Sequence, residues 1–228
     1  WHGVTEEIVF DNTTPIPPDA MYGIGIASKI PVKRWHRINL GKAPLGMPLL
    51  VAGETRPQLI YVSDEPRSAL VAELENGVSV TTTHLSFVPL KNWSQLRKIA
   101  GWVEQLPGLH IMTGDFNLPW GLGPKIAGWN DLVEGPTYPS WKPSIEFDYI
   151  MSKELTAKDV IAKIHGHHGI SDHLAGRRDR EHDGVLDLDL LAVVGEDLVV
   201  EGQLGRGEVQ LVRPGGVLCL PLGVLLVE

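Results

Sequence analysis

The sequence has little cysteine, no long apolar run and no excess of positive charge, and each of these features excludes some classes of protein or of binding site. A single cysteine, Cys219, stands among 228 residues, which excludes a disulfide framework and a zinc site made of several cysteines. We therefore expect a reducing, cytoplasmic setting. Apolar stretches near residues 186–194 and 217–227 are too short to cross a bilayer, so we expect no membrane span.

The charge balance is acidic, with 20 lysines and arginines against 28 aspartates and glutamates, a net charge of −8. This balance argues against broad, non-specific binding to nucleic acid, which relies on clustered lysine and arginine. It leaves phosphate-bearing substrates open, because a bound divalent cation can supply positive charge locally.

The composition changes after residue 174, and this divides the chain into two regions. Residues 175–228 contain no Ser, Thr, Asn, Lys, Ile, Met, Phe, Trp or Tyr, and Leu and Val supply 22 of these 54 residues. Every residue there except Cys219 can be encoded by a codon that begins with G or C. We interpret residues 1–174 as the folded core and residues 175–228 as an anomalous Leu/Val-rich tail. Two hypotheses stay open for the tail: a change of reading frame shortly after His173 in GC-rich DNA, or a natural β appendage.

Strand-like patterns dominate the core, together with one clear helix. Alternation over residues 78–84 places Val80, Thr82 and His84 on one face of a strand. Apolar residues recur at helical spacing over 92–106, where Asn92 is the predicted N-cap and Pro107 the stop. The predicted strands cover residues 22–28, 59–63, 69–75, 78–84, 109–112 and 145–151. This order of elements predicts an α+β fold in which helices cover sheets.

Gly114-Asp115-Phe116-Asn117 follows a predicted strand and contains the first candidate site residues. Asp115 and Asn117 are two apart at the strand end, so both can point to one side. A carboxylate there can orient or deprotonate a water molecule or bind a metal, and an amide can hydrogen-bond a phosphate oxygen. The alternative is a plain turn in which the two side chains cap their own backbone.

A second set of candidates consists of His84, Asp148, Asp172 and His173. Asp172 and His173 are adjacent in a loop and could coordinate a metal and contact a phosphoryl oxygen. His173 needs an acceptor that holds one tautomer, and Asp148 is the candidate because an unpaired carboxylate in its apolar strand would be costly. His84 could donate to a phosphate oxygen or to the leaving group. Each has a structural alternative. Asp172 and His173 would lie in a surface turn, Asp148 would be an exposed strand residue, and His84 would make a hydrogen bond at the end of its strand.

Histidines and tryptophans outside these motifs suggest two further kinds of site. A zinc site could be formed by His165, His167 and His168. A mobile polar loop explains this cluster equally well, because it lacks the spacing of a defined zinc site. A substrate groove could be lined by Trp35, Trp93, Trp120 and Trp141, although some of these would instead pack in the core or in loops.

Four motifs, in order, carry a resemblance: Thr83-His84-Leu85-Ser86, Gly114-Asp115-Phe116-Asn117, Phe147-Asp148-Tyr149-Ile150 and Ser171-Asp172-His173. Their succession resembles that of the endonuclease/exonuclease/phosphatase family, the deoxyribonuclease-I-like fold. Residues 22–31 and 128–132 are also similar to family segments, so the resemblance covers about residues 22–173. It implies a four-layer α/β/β/α sandwich of two packed mixed sheets, with the site at one end of the sheets.

The resemblance also implies a reaction, the hydrolysis of a phosphoester by a phosphodiesterase or nuclease assisted by Mg²⁺ or Mn²⁺. Asp115 would position or activate the attacking water. Asn117 and His84 would stabilise the charge that develops on the phosphoryl group. Asp148 would orient His173 against the scissile phosphate. The substrate stays open among nucleic acid, phospholipid and small molecules.

The metal site is where the sequence departs from the family pattern. The family has an Asn on its first strand and a metal-binding Glu on a later strand, and nothing before Tyr22 matches either. The resemblance leaves Asp172 and Asp115 to hold the metal. We therefore expect the N-terminal strands to be missing, magnesium binding to be weak and hydrolysis to be slow. A non-catalytic binding protein that keeps the fold is the alternative function.

Overall fold

The computed structural model of the chain describes residues 23–28, 30–51, 58–164, 173–174, 176–179, 190–193, 208–213, 216–221 and 224–227. The first strands are β1 (Gly25–Ala27), β2 (Val32–Gly41), β3 (Met47–Val51), β4 (Gln58–Val62), β5 (Arg67–Leu74) and β6 (Val78–His84). Helix α1 (Lys91–Val103), β7 (Leu109–Asp115), helix α2 (Leu122–Ala127), β8 (Asn130–Asp131) and β9 (Asp148–Ser152) follow. After a 3₁₀ turn (Ala157–Asp159) come β10 (Ile161–Ile164), β11 (Gly176–Asp179), β12 (Leu190–Val193), β13 (Glu208–Arg213), β14 (Gly216–Pro221) and β15 (Val224–Val227). None of the helices in these ranges has the length and apolar character needed to cross a membrane.

A mixed sheet of six strands, in the order β2-β5-β6-β7-β9-β8, forms the centre of the described fold. β6 and β7 are parallel, because α1 crosses over between them, and the other neighbours are antiparallel. β6 is buried on both faces, with Val78 and Val80 on one side and Thr81 and Thr83 on the other. β-branched residues suit such a strand, because they pack well on a pleated surface.

Helix α1 covers one face of this sheet with an apolar stripe. Leu96, Ile99 and Val103 recur at helical spacing and are fully buried in a core cluster with Met112 and Tyr149 of the sheet. Burial of one such side chain contributes about 1.5–3 kcal/mol to folding. This layer fixes β7 and β9, and therefore the positions of the residues at their ends.

A second sheet, in the order β1-β15-β12-β11-β10, covers the opposite face. Ile26 of β1 and Ile164 of β10 pack against a cluster that contains Val80, Ile111 and Ile150 of the central sheet. The described residues thus form a helix layer and two packed sheets, which is the α+β arrangement that the sequence predicted. We predicted that the N-terminal strands of the family are missing. This prediction concerns residues 1–22, which lie outside the described ranges.

A hairpin formed by β3 and β4 projects from one end of the central sheet. It is inserted between Gly41 and Arg67, which are paired at the end of β2 and the start of β5. The carboxyl ends of β6 and β7 and the start of β9 lie at the same end, since His84 is level with Asp115 and Asp115 with Asp148. We call this end of the sheet the site edge.

Element boundaries differ from the prediction in places, for identifiable reasons. Helix α1 begins after Leu90, so Asn92 lies inside it and donates its side-chain amide to the carbonyl of Asn117 instead of capping the helix. The helix ends at Val103 rather than at Pro107. The strand predicted over 145–151 begins at Asp148, because Ile145 instead forms an isolated bridge with Tyr138. β2 and β3 were not predicted.

Candidate active site

Three adjacent strand ends bring His84, Asp115 and Asp148 side by side at the site edge. The register pairs His84 with Asp115 and Asp115 with Asp148. By alternation, these side chains share the face that carries Val80 and Ile111, which packs against the second sheet. The pocket therefore lies where the layer between the two sheets opens at the site edge.

His173 completes this group from a distant part of the chain. Its Nδ1 lies 2.8 Å from Oδ2 of Asp148, and its Nε2 lies 4.0 Å from Oδ2 of Asp115. The carboxylate of Asp148 accepts a hydrogen bond from Nδ1–H, so Nε2 is the ring nitrogen that faces Asp115. The ring is further held by Tyr138 and Phe147, whose centroids lie 4.8 and 6.4 Å from it. The position of His173 is thus fixed by an acid on one side and two aromatic rings on the others.

Asp115 and Asn117 form a tight turn at the end of β7. Oδ1 of Asp115 accepts a hydrogen bond from the backbone N–H of Asn117 at 2.7 Å, and Asn117 has a φ of 49°. The side-chain amide of Asn117 donates to the carbonyl of Leu85 at 3.0 Å. Local capping and a site role are therefore compatible here, because Oδ2 of Asp115 faces His84 at 3.5 Å while Oδ1 holds the turn.

Burial dominates the electrostatics of the pocket. It lowers the pKa of His84 to about 4, against the opposing attraction of Asp115, so this imidazole is neutral at pH 7. Burial also raises the pKa of Asp115, while the neighbouring His84 and His173 oppose that rise. A carboxylate with a raised pKa is a better proton acceptor than an exposed one.

Asp115, Asp148 and His173 together fit a metal ion. Each offers one ligand atom, and these atoms lie within 4.8 Å of one another. Oδ1 of Asp148 is buried and has no hydrogen-bond partner among the described residues. A buried carboxylate oxygen without a donor is costly, and a cation or water satisfies it. The carboxylates suit Mg²⁺ or Mn²⁺, which prefer oxygen ligands.

The structure brings most of the predicted site residues into one pocket. They are His84, Asp115, Asn117, Asp148 and His173. Asp172 and the histidines 165, 167 and 168 lie outside the described residues. Trp93, Trp120 and Trp141 are exposed, whereas Trp35 packs against the cluster between the two sheets.

Two residues of the pocket were missed in the sequence. Tyr138 is one, and its Pro-rich loop gave no periodic signal that could have placed it against His173. Arg67 is the other: it is 7% exposed, and its charge contributes to the lowered pKa of His84. The sequence does show a lone charge at the start of an apolar strand, but it does not show which groups this arginine contacts.

Comparisons with known proteins give one strong match and several weak ones. The model of the Endonuclease/Exonuclease/phosphatase family matches residues 2–173. No curated protein matches the chain. Among solved structures, D. rerio TDP2 humanized by 14 mutations is 21% identical, with a TM-score of 0.38 and coverage of 48% of this chain and 58% of that one. A mannosyl-6-phosphatase of Bacteroides thetaiotaomicron is 10% identical, with a TM-score of 0.39 and coverage of 64% and 65%.

D. rerio TDP2 in complex with a single strand DNA product is 14% identical, with a TM-score of 0.39 and coverage of 68% and 66%. The chain thus spans less than two thirds of the length of each of these three structures. Their TM-scores are too low to add to the argument, so the assignment depends on the family model. That model covers three quarters of the sequence, including every motif of the pocket, and the chain therefore belongs to the endonuclease/exonuclease/phosphatase family.

Proposed function

We propose that the chain is a metal-dependent phosphoester hydrolase of the phosphodiesterase or nuclease type. The observation that supports this most is the convergence of His84, Asp115, Asp148 and His173, from four separate segments, in one pocket at the site edge. A structural role alone does not require two carboxylates and two imidazoles to be buried together. Hydrolysis of a phosphoester needs such groups to activate water and to stabilise charge.

Asp115 is our candidate for the group that positions and deprotonates the attacking water. Its Oδ2 faces the pocket, and burial raises its pKa. Its Oδ1 is held by the N–H of Asn117, so the carboxylate keeps one orientation. Neutral His84 then donates a hydrogen bond to a phosphoryl oxygen, and we assign Asn117 a supporting role in stabilising the same charge.

His173 is our candidate for the group that contacts the scissile phosphate. Asp148 holds the proton on Nδ1 and stabilises the ring when it becomes charged. The role of Asp148 is thus to orient His173, and its second oxygen, Oδ1, would be available to hold a cation.

A divalent ion, Mg²⁺ or Mn²⁺, would be held by Asp115, by Asp148 and, as the resemblance implies, by Asp172. When bound, it supplies positive charge to the phosphoryl oxygens. Weak binding of this ion stays a prediction, because Asp172 lies outside the described residues.

The class of substrate is also a proposal. For this chain we keep nucleic acid, phospholipid and small phosphoesters as candidate substrates.

The test is turnover of bis(p-nitrophenyl) phosphate in the presence of Mg²⁺ or Mn²⁺, with EDTA as the metal-free control. We expect slow release of nitrophenol that EDTA abolishes and that Asp115→Asn reduces at least about 100-fold. Asp159→Asn is the matched control, because Asp159 is exposed and lies beyond the opposite end of β9. Turnover that survives both EDTA and Asp115→Asn would contradict the proposal.

A non-catalytic binding protein is the second candidate, and one observation favours it: Asp115, Asp148 and His173 are the only group of described residues close enough to hold a metal, and just two of them are carboxylates. A ligand of the native state raises the melting temperature, so thermal melting separates the two candidates. A rise with Mg²⁺ that Asp115→Asn removes favours the hydrolase. No change at millimolar Mg²⁺, together with no turnover, favours the binding protein.

A further inference from the structure

Two threonines lie directly behind the strand-end residues of the pocket, on the same face of the central sheet. Thr82 and Thr113 precede His84 and Asp115 by two residues, so alternation places each on the side of its strand-end residue. The register pairs Thr82 with Thr113, and their side chains are therefore neighbours across β6 and β7. Both residues are completely buried. The row of side chains behind the pocket thus contains two hydroxyl groups.

The surroundings of these two threonines in the sheet are apolar. Leu70 of β5 is paired with Thr82, and Ile150 of β9 is paired with Thr113. Val80, one step deeper on β6, is fully buried on the same face. Valine has nearly the shape of threonine and would fill the same space without burying a polar group. The packing in the sheet therefore gives no reason for a hydroxyl at either position.

Neither of these hydroxyls makes a hydrogen bond to another described residue. Oγ1 of Thr82 and Oγ1 of Thr113 are both inaccessible to solvent and lack a partner. By contrast, Thr83 on the opposite face of β6 donates its hydroxyl to the carbonyl of Ser68 at 3.1 Å. A buried hydroxyl without a partner is destabilising, and ordered water commonly satisfies such groups. The pair therefore indicates a small polar ligand between the two sheets.

A third polar atom with the same property lies on this face. Oδ1 of Asp148 is buried and has no donor among the described residues, whereas Oδ2 of the same carboxylate accepts from Nδ1 of His173 at 2.8 Å. Asp148 is two residues before Ile150, the partner of Thr113, and is therefore the diagonal neighbour of Thr113 on β9. Diagonal neighbours are about 7–8 Å apart at Cα. Their side chains shorten this gap towards the distance of about 5.6 Å that one bridging water spans.

We propose that Thr82 and Thr113 are positioning residues of the pocket, which bind one buried water together with Asp148. Both hydroxyls donate to the water oxygen, and the water donates to Oδ1 of Asp148. This arrangement satisfies all three polar atoms. It also gives the water three hydrogen bonds, the number typical of a buried water.

The bound water restricts the carboxylate of Asp148 and, through it, the ring of His173. Because Oδ2 accepts from Nδ1, a rotation of the carboxylate moves the imidazole. A hydrogen bond to Oδ1 opposes that rotation. The second lone pair of Oδ1 stays available for a cation. The effect on catalysis rests on the proposed function, since it requires that the orientation of His173 serves hydrolysis.

Replacement by valine tests the positioning role, because valine keeps the shape of threonine and removes the hydroxyl. With bis(p-nitrophenyl) phosphate as the substrate, we expect Thr82→Val and Thr113→Val each to lower kcat about tenfold and to change KM less than about twofold. The double variant should lose about as much as either single variant, because both substitutions remove the same water. Thr82→Ser and Thr113→Ser keep the hydroxyl and should retain kcat within about twofold.

Thr81→Val is the matched control. Thr81 is also fully buried on β6, and its hydroxyl also lacks a hydrogen-bond partner. It lies on the opposite face, however, where it is level with Val71 and Met112 of the core cluster under α1. Its replacement should leave kcat unchanged. Melting temperatures at or above that of the unaltered chain establish that the valine variants are folded.

A measurement that needs no turnover separates the positioning role from the proposed function. The imidazole ¹⁵N resonances of His173 report its tautomer and its hydrogen bonds. In the chain without added metal, Thr82→Val and Thr113→Val should shift these resonances, whereas Thr81→Val should not. If the resonances respond in this way and the unaltered chain has no turnover, the positioning role stands and the hydrolase is wrong.

Three results would overturn the positioning role. The first is a set of His173 resonances that the valine substitutions leave unchanged. The second, in an active chain, is a kcat that the valine variants retain or that the valine and serine variants lower equally. The third is a double variant whose loss of kcat is the product of the two single losses, because a shared water excludes independent effects.

Discussion

His173 Nδ1 and Asp148 Oδ2 lie 2.8 Å apart although 25 residues separate them in the chain. Asp148 is the first residue of β9, and His173 lies beyond β10, so the contact joins the central sheet to a later segment. An acid in this position fixes which imidazole nitrogen carries the proton and stabilises the ring when it is charged. A pocket that opens at the strand ends thus contains a histidine held in one orientation.

Replacement of Asp148 by asparagine tests this relationship. The amide keeps the size of the side chain but removes the negative charge that stabilises protonated His173. We expect kcat on the chromogenic phosphodiester to fall by about 10²–10⁴-fold. The exposed Asp159→Asn serves again as the control, and a kcat for Asp148→Asn equal to that of the control would exclude the proposed role.

Tyr138 is expected to act as a positioning residue for His173. Its ring centroid lies 4.8 Å from that of the imidazole, in a tilted arrangement. Tyr138→Phe keeps the ring and should retain most of the activity, whereas Tyr138→Leu should lower kcat about tenfold with a smaller change in KM. An equal loss of kcat in both variants would mean that the ring contact does not position His173. A shift in the pH profile of kcat for the leucine variant alone would distinguish positioning from a general loss of stability.

The strand-end residues were predictable from the sequence because their signals are local. Alternation places His84 on a defined face of β6, and the order of the motifs relates it to Asp115 and Asp148. The contacts of Tyr138 and Arg67 depend on how distant segments pack, and no periodicity of one segment contains that information. Asn92 shows the same limit: asparagine favours the N-cap position, yet Asn92 is the second residue of α1 and its side chain donates to the carbonyl of the distant Asn117.

The β3–β4 hairpin was predicted only in part: residues 59–63 were expected to form a strand, which agrees with β4, whereas β3 was not predicted. In β4 the apolar residues Leu59 and Tyr61 are exposed, so they do not mark a face that is buried in the core. Patterns of burial predict elements that contribute to the core, and this hairpin contributes little to it. Sequence analysis therefore identified the pocket more completely than the surface around it.

Leu96 and Leu90 give a matched pair for measuring stability. Leu96 lies on the buried face of α1 and is fully buried, whereas Leu90, just before the same helix, is 80% exposed. Leu96→Ala should lower the free energy of unfolding by about 2–5 kcal/mol, because it leaves a cavity in a packed cluster. Leu90→Ala should change it by less than about 0.5 kcal/mol. Chemical denaturation of both variants measures the difference, and a similar loss in both would contradict the described packing of α1.

Asp131 gives a prediction about stability as a function of pH. Burial raises its pKa from 3.8 to about 7, and the nearby Glu146 and Glu134 act in the same direction. Between pH 4 and 7 the folded chain keeps this proton while the unfolded chain has released it, so the contribution of Asp131 to stability falls as the pH rises through that window. Asp131→Asn keeps an acceptor for the N–H of Val133, which lies 3.1 Å from Oδ1, and it cannot ionise. The variant should therefore gain stability relative to the unaltered chain as the pH rises from 4 to 8. Urea denaturation at several pH values measures this gain, and parallel stability profiles for the two proteins would show that Asp131 does not hold its proton in the folded state.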